Sequence, residues 1–266
     1  MMTEPALFRL LAWSSPGYPT GAFSYSHGLE WAVEIGEIKN LQGLLDYVTA
    51  VLSRGGGWVD AVLFAHAWRL VASAAAAGAN TLAAPDAVTR TNAPARANAL
   101  ADQASTSHTT EAADLDTLTQ LAAAFRGSAE TALESRQQGG AFLDVTRKAW
   151  PHPILEAFAT RQARSGTPVA HCIAVAVACA AHEVALAPAL HSYIHAVAAN
   201  LVSAGARLIP LGQTQAQIAI AQLSSVITEI AERAQATSLD DLGTAAPAIE
   251  LCSFRHETQY TRLFRS

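Results

Sequence analysis

The run Thr167-Pro-Val-Ala-His-Cys-Ile-Ala-Val-Ala-Val-Ala-Cys-Ala-Ala-His-Glu-Val-Ala-Leu-Ala-Pro-Ala-Leu-His-Ser-Tyr-Ile-His-Ala-Val-Ala-Ala-Asn-Leu-Val-Ser-Ala-Gly-Ala206 carries one formal charge, Glu183. A membrane span needs about 20 predominantly apolar residues, so length alone permits one here. The composition argues otherwise: the run is alanine-dominated, holds His171, His182, His191, His195 and Asn200, and is interrupted by Pro188, whereas spanning helices are dense in Leu, Ile, Val and Phe. It reads as two buried helices. Alanine lets a neighbouring backbone approach closely, which suits either the centre of a monomer or the seam of a two-fold dimer.

Outward from this run, apolar residues recur at spacings of three and four with no β-branched alternation between turn dipeptides. The fold class is therefore all-α, a single-domain bundle of about nine or ten helices over residues 1–266. Helices are expected over Pro5–Trp13, Ala22–Ile35, Leu41–Arg54, Val59–Ala77, Asp114–Gln138, Pro153–Arg164, Pro168–Ala185, Pro188–Gly205 and Gln213–Ala236. Pro153, Pro168 and Pro188 sit where a first turn tolerates a missing N–H. Between Gly78 and Ala113 the chain turns to Ala, Thr, Asn, Asp and Ser, too few large apolar groups to offset ordering entropy. That stretch is read as a mobile insertion, with one short helix near Ala95–Ala101. A polar link, Ala236–Ala248, precedes a tail, 249–266, crowded with arginines and aromatics.

Composition narrows the function. Lys plus Arg number 17 against 22 Asp plus Glu, net −5, and no basic patch interleaves with aromatics, so nucleic acid is an unsuitable partner. Of the three cysteines, Cys172 and Cys179 are about 10 Å apart on a helix, too far for a disulfide, and behave as small hydrophobes. With no basic, apolar leader at the start, a cytoplasmic protein is expected.

Catalytic signatures fail one by one. The two lysines, Lys39 and Lys148, follow Ile38 and Arg147 rather than glycine, so there is no Walker A loop. Gly55-Gly56-Gly57 lacks the spaced third glycine of a dinucleotide fingerprint, since position 60 is Asp60, and no strand precedes it. Ser24-Tyr-Ser26-His27-Gly28 misses the nucleophile elbow by one residue; a hydrolase using Ser26 is the third-ranked reading. His182-Glu183 meets Leu186 where a zincin needs histidine, and no cofactor or metal is assigned. The runner-up function is a nickel metallochaperone built on His182, His191 and His195.

Packing alone leaves three segments unexplained: Ser14-Ser-Pro-Gly-Tyr-Pro-Thr-Gly-Ala-Phe-Ser-Tyr-Ser-His-Gly-Leu-Glu30, Arg207-Leu-Ile-Pro-Leu-Gly-Gln-Thr214, and Arg255-His-Glu-Thr-Gln-Tyr-Thr-Arg-Leu-Phe-Arg-Ser266. In this order and at these separations they resemble the UreF family of urease accessory proteins, from about Leu7 to Ser266 apart from the Gly78–Ala113 stretch. The resemblance implies an all-helical cytoplasmic homodimer without a catalytic site. It further implies a bridge between the UreD (UreH) scaffold and the GTPase UreG, through which nickel reaches apo-urease, and a role in modulating GTP hydrolysis.

Partner-binding residues are expected on that basis. Tyr25, His27 and Glu30 recur at helical spacing and form, if that face meets solvent, a patch that receives the GTPase. In the tail, Arg255, Tyr260, Arg262, Leu263, Phe264 and Arg265 combine the residue types that anchor interfaces; Tyr260, Arg262, Leu263 and Phe264 are expected to order on the scaffold, the arginines forking onto carboxylates. Arg207 and Gln213 flank a helix stop and restart at Pro210-Leu-Gly212, where capping is one role and partner contact the other. His182, His191 and His195 are placed beside a nickel path if their helices line the dimer seam.

Overall fold

A computed structural model describes residues 3–76 and 115–266. The expected insertion at 78–113 and its short helix lie outside the described residues, apart from the fact that their sequence separates two helices. Every regular element described is helical: α1 (Glu4–Trp13), α2 (Leu29–Glu34), α3 (Leu41–Arg54), α4 (Gly56–Ala76), α5 (Leu115–Ala124), α6 (Ala129–Ala149), α7 (Pro153–Ser165), α8 (His171–Ala181), α9 (Leu186–Leu208), α10 (Gln213–Ala236) and α11 (Pro247–His256). Short 3₁₀ turns occupy Ala22–Ser24 and Leu239–Asp241.

Local chemistry sets the helix ends. Asn40 accepts the Gly43 N–H at 3.0 Å to open α3, Ser128 and Thr131 form a reciprocal capping box at the start of α6, and Pro153 occupies the first turn of α7. Each relieves a donor that the first turn leaves without an intrahelical partner, or removes it. Gly212 begins α10 with its N–H donated to Gln215 Oε1 at 3.1 Å, so the cap comes from Gln215, not from Gln213 or Thr214.

The alanine-rich run is the centre of the monomer. Cys172 through Ala181 are all buried, and α8 packs chiefly on α4 and α6. At the α6–α8 crossing a Cβ on Gly139 would stand 2.0 Å from the Val169 carbonyl oxygen, so only glycine allows that approach. Of the two placements open from sequence, α8 takes the core and is unavailable to a seam; α9 is half-buried, with His195 and Ser203 on its outer side. Residues 41–76 have the length and hydropathy of a span, but they are two helices, broken at Gly55 and packed on each other, and their apolar side chains fill the same core.

Four expectations require correction. Ala22–Ile35 is not one helix, because extended Tyr25 ends the 3₁₀ turn and His27 and Gly28 both adopt positive φ, 55° and 76°, before the chain restarts as α2. Asp114–Gln138 is likewise broken at Phe125–Ser128, where the Ser128 cap begins a new helix. Pro168 lies in extended chain ahead of α8, and Pro188 lies inside the first turn of α9 rather than opening it. Finally, 247–256 is an additional helix, with Pro247 in its first turn.

Candidate functional site

The first and last of the motif segments meet in space, and Arg207 of the remaining one reaches both. The turn Ser24–Gly28 and the start of α2 form the floor, α6 forms one wall, and α11 with residues 257–266 closes the top. Gly28 is required here twice over: its φ is left-handed, and a Cβ would lie 2.6 Å from the Ser253 amide nitrogen on α11. Two direct backbone bonds tie the tail down, Ser26 N–H to the Ser266 carbonyl and Arg265 N–H to the Ser24 carbonyl, each 2.7 Å. The Ser26 hydroxyl also donates to the Ser266 carbonyl. Ser26 is fully buried, so its hydroxyl serves as a tail anchor.

Buried charge holds the rest. Glu30 Oε1 accepts the Leu263 N–H at 2.6 Å, and Oε2 accepts the Phe264 N–H at 2.9 Å and faces His256 Nε2 at 3.0 Å. The other ring nitrogen, Nδ1, lies 2.7 Å from Glu130 Oε2, while Glu130 Oε1 accepts from Arg262 at 2.9 Å. One helical turn along α6, Glu134 accepts the Ser266 hydroxyl at 2.9 Å and faces His27 Nε2 at 3.0 Å. Burial works against a charged His27, but the Glu134 carboxylate outweighs it and raises the imidazole above its usual range. A further turn brings Gln137, whose carbonyl oxygen accepts from Tyr25 and, at 3.2 Å, from Arg265. Such charge-assisted bonds are the stronger ones, and in a buried site they leave little slack.

Beneath this latch lies a cavity of about 470 Å³ whose walls include His27, Asp60, Arg126, Glu134, His171 and Tyr193. Its charges are internally paired: Arg126 Nη1 reaches Asp60 Oδ1 at 2.7 Å, and the Tyr193 hydroxyl donates to Asp60 Oδ2 at 2.9 Å. Burial opposes the Arg126 charge, yet the Asp60 carboxylate prevails and holds it above the ordinary arginine range. Burial pushes the His171 imidazole down to about 4, against the opposing pull of Asp60 and Glu134. The same burial raises the Cys172 and Cys179 thiols, leaving both protonated.

The structure divides the expected residues into two groups. Tyr25 and Glu30, assigned to a solvent-facing patch, are buried, and Phe264, assigned to an intermolecular contact, is 3% exposed and packed in the core with the Arg207 guanidinium 4.4 Å above its ring. His27 is mostly covered, so the helical face proposed to meet solvent is turned inward onto the chain's own tail. Arg262 and Arg265 already hold Glu130 and Gln137 within the chain. Arg207 secures the Phe23 carbonyl at 3.0 Å. Exposed are Arg255, Gln213, Tyr260 and Leu263, the last two fully and 63% exposed, and so are Arg207, Arg262 and Arg265 despite those contacts within the chain. Sequence reasoning missed Glu130, Glu134, Gln137 and His256. The signal available was Glu130, Glu134 and Gln137 at spacings of four and three, a polar stripe on one face of α6.

Among the described residues no group of three or more His, Cys, Asp or Glu is arranged to hold a metal ion. His182 instead packs its ring against Trp13 and lies 3.2 Å from the Trp150 carbonyl. His191 and His195 sit on α9, near enough for one to depress the other's basicity beyond what burial does.

These features define an all-α protein whose C-terminal segment folds back onto its N-terminal motif through a buried polar latch. The chain belongs to the UreF family of urease accessory proteins: the UreF family model matches residues 38–224. It is 42% identical to the urease accessory protein UreF of Rhodopseudomonas palustris (strain BisB5), over 98% of this chain and 91% of that protein. The UreF of Granulibacter bethesdensis is 44% identical over 99% of this chain and 95% of its own length, and that of Bradyrhizobium diazoefficiens 41% over 98% and 92%.

Proposed function

We propose that this chain acts in urease maturation as a non-catalytic cytoplasmic helper, bridging a UreD/UreH-type scaffold and a UreG-type GTPase so that nickel reaches apo-urease. Family membership supports the urease role; the observation that supports a bridging surface is the docked tail. Its backbone is fixed to Ser24, Ser26 and Glu30 and its side chains to α6, while Leu251, Phe254, Tyr260 and Leu263 remain half or more exposed beside Arg255. Apolar and aromatic groups held on an ordered backbone beside an arginine are the composition of an interface centre, and pre-ordering removes part of the entropy that binding otherwise costs. We assign this face to the scaffold, and the homodimer contact to the outer side of α9.

The GTPase then meets a surface that the latch supports rather than Tyr25 and Glu30 themselves. A GTPase-stimulating role requires a group placed in the partner's nucleotide site, and exposed Gln213 and Arg207 are the candidates offered. The test is capture of the scaffold by a Tyr260→Ala, Leu263→Ser double variant, whose altered side chains are exposed and uncharged and leave the backbone bonds of the latch in place. Retention falling at least tenfold supports the assignment; undiminished retention refutes it. For the metallochaperone alternative, no group of three His, Cys, Asp or Glu is arranged to hold a metal ion among the described residues.

A further inference from the structure

His256 is fully buried, and both of its ring nitrogens face carboxylate oxygens: Nε2 meets Glu30 Oε2 at 3.0 Å and Nδ1 meets Glu130 Oε2 at 2.7 Å. Proton counting follows from that geometry. A neutral imidazole has one N–H and one lone pair, so with both carboxylates ionised one of the two contacts would place a lone pair against a carboxylate oxygen. The site therefore contains one proton beyond a neutral ring and two carboxylates. That proton belongs on the ring, because the carboxylates are already held in their ionised form by other donors. Glu30 takes the Leu263 and Phe264 N–H groups, and Glu130 takes Arg262. Donors to a carboxylate favour its charged form.

We propose that the tail latch is proton-dependent: the docked tail requires a doubly protonated His256, and loss of that one proton releases residues 257–266 from Glu30. The proposal concerns the chain alone and does not rest on any partner. The charged groups around the ring are Glu30 from α2, Glu130 from α6 and Arg262 from the tail. Farther along α6 stands the Glu134–His27 pair. From α3, which also packs on α11, the buried Tyr47 commits its hydroxyl to the His27 carbonyl at 2.7 Å. One lost proton shifts the ratio of docked to free tail by up to about tenfold per pH unit, in favour of the free tail as pH rises.

The experiment is a pH titration of the isotopically labelled full chain followed by NMR, reading the His256 ring nitrogens and the Leu263 and Phe264 amides together. Expected are two protonated ring nitrogens while the tail amides show their docked shifts, and loss of both signatures in one step on raising the pH. A Glu130→Gln variant supplies the control, because the amide can donate to Nδ1 of a neutral ring that still donates through Nε2 to Glu30. Its tail should stay docked, with the pH step removed. A neutral ring while the tail is docked in the native chain overturns the proposal, and needs no variant. An unchanged pH step in a folded Glu130→Gln chain also overturns it, and assigns the dependence to His27 and Glu134.

Discussion

Replacing Glu30 with alanine removes the acceptor on which the tail converges. Two backbone N–H groups of the tail, at 2.6 and 2.9 Å, and His256 at 3.0 Å lose their shared partner. Hydrogen bonds to a charged group each contribute about 1.5–3 kcal/mol, so the two tail bonds together amount to about 3–6 kcal/mol of docking free energy. At 1.4 kcal/mol per factor of ten, the docked-to-free ratio should fall by about two to four orders of magnitude. The helical core does not depend on this carboxylate, since α8 is buried against α4 and α6. Hydrogen exchange of the Glu30→Ala chain should therefore show residues 257–266 exchanging near the rate of a free peptide, with protection of α3, α4 and α8 unchanged. Retained protection of the Arg265 amide, which donates to the Ser24 carbonyl, would refute the argument, because it would mean that the Ser24 and Ser26 contacts alone hold the tail.

Three further outcomes follow from the same geometry. Gly28→Ala places a Cβ in left-handed backbone, worth about 1–2 kcal/mol, and against the Ser253 amide besides; thermal unfolding should show a Tm lower by several degrees. Asp60→Ala leaves the buried Arg126 charge uncompensated, which costs about 3–5 kcal/mol, and urea unfolding should show the loss, with Arg126→Met restoring part of it in the double variant. His171, held down to about 4 by burial, is neutral in the folded chain but charges near 6.5 when unfolded; the folded state should lose stability as pH falls from about 6.5 towards 4, and a folded His171→Asn chain should show a shallower acid limb in Tm against pH.

The core was legible because its signal is local. An alanine-rich, almost uncharged run allowed a buried bundle helix as the simplest reading, and α8 is that helix; α3 and α10 begin and end where the apolar spacing put them. The latch was not legible, because Glu30 and His256 lie 226 residues apart and Glu130 and His256 lie 126 apart. Periodicity reports a polar face but not what covers it, so the sequence leaves open whether Tyr25 and Glu30 meet solvent, and the chain's own tail turns them inward. The break at His27 was hidden for a related reason: a non-glycine residue at positive φ is imposed by tertiary contacts, here the Tyr47 hydroxyl on its carbonyl and Glu134 on its ring. The motif segments are visible in the sequence, while their mutual contact spans more than two hundred residues and is set by the tertiary fold.

The bridging account is tested most directly by mixing the full chain with its UreD-type scaffold and UreG-type GTPase and measuring mass on a sizing column, with GTP and nickel present and absent. The account predicts one assembly containing all three proteins, lost when Tyr260 and Leu263 are altered on an otherwise intact chain. Scaffold and GTPase eluting together without this chain, or all three eluting apart under every condition, would contradict it.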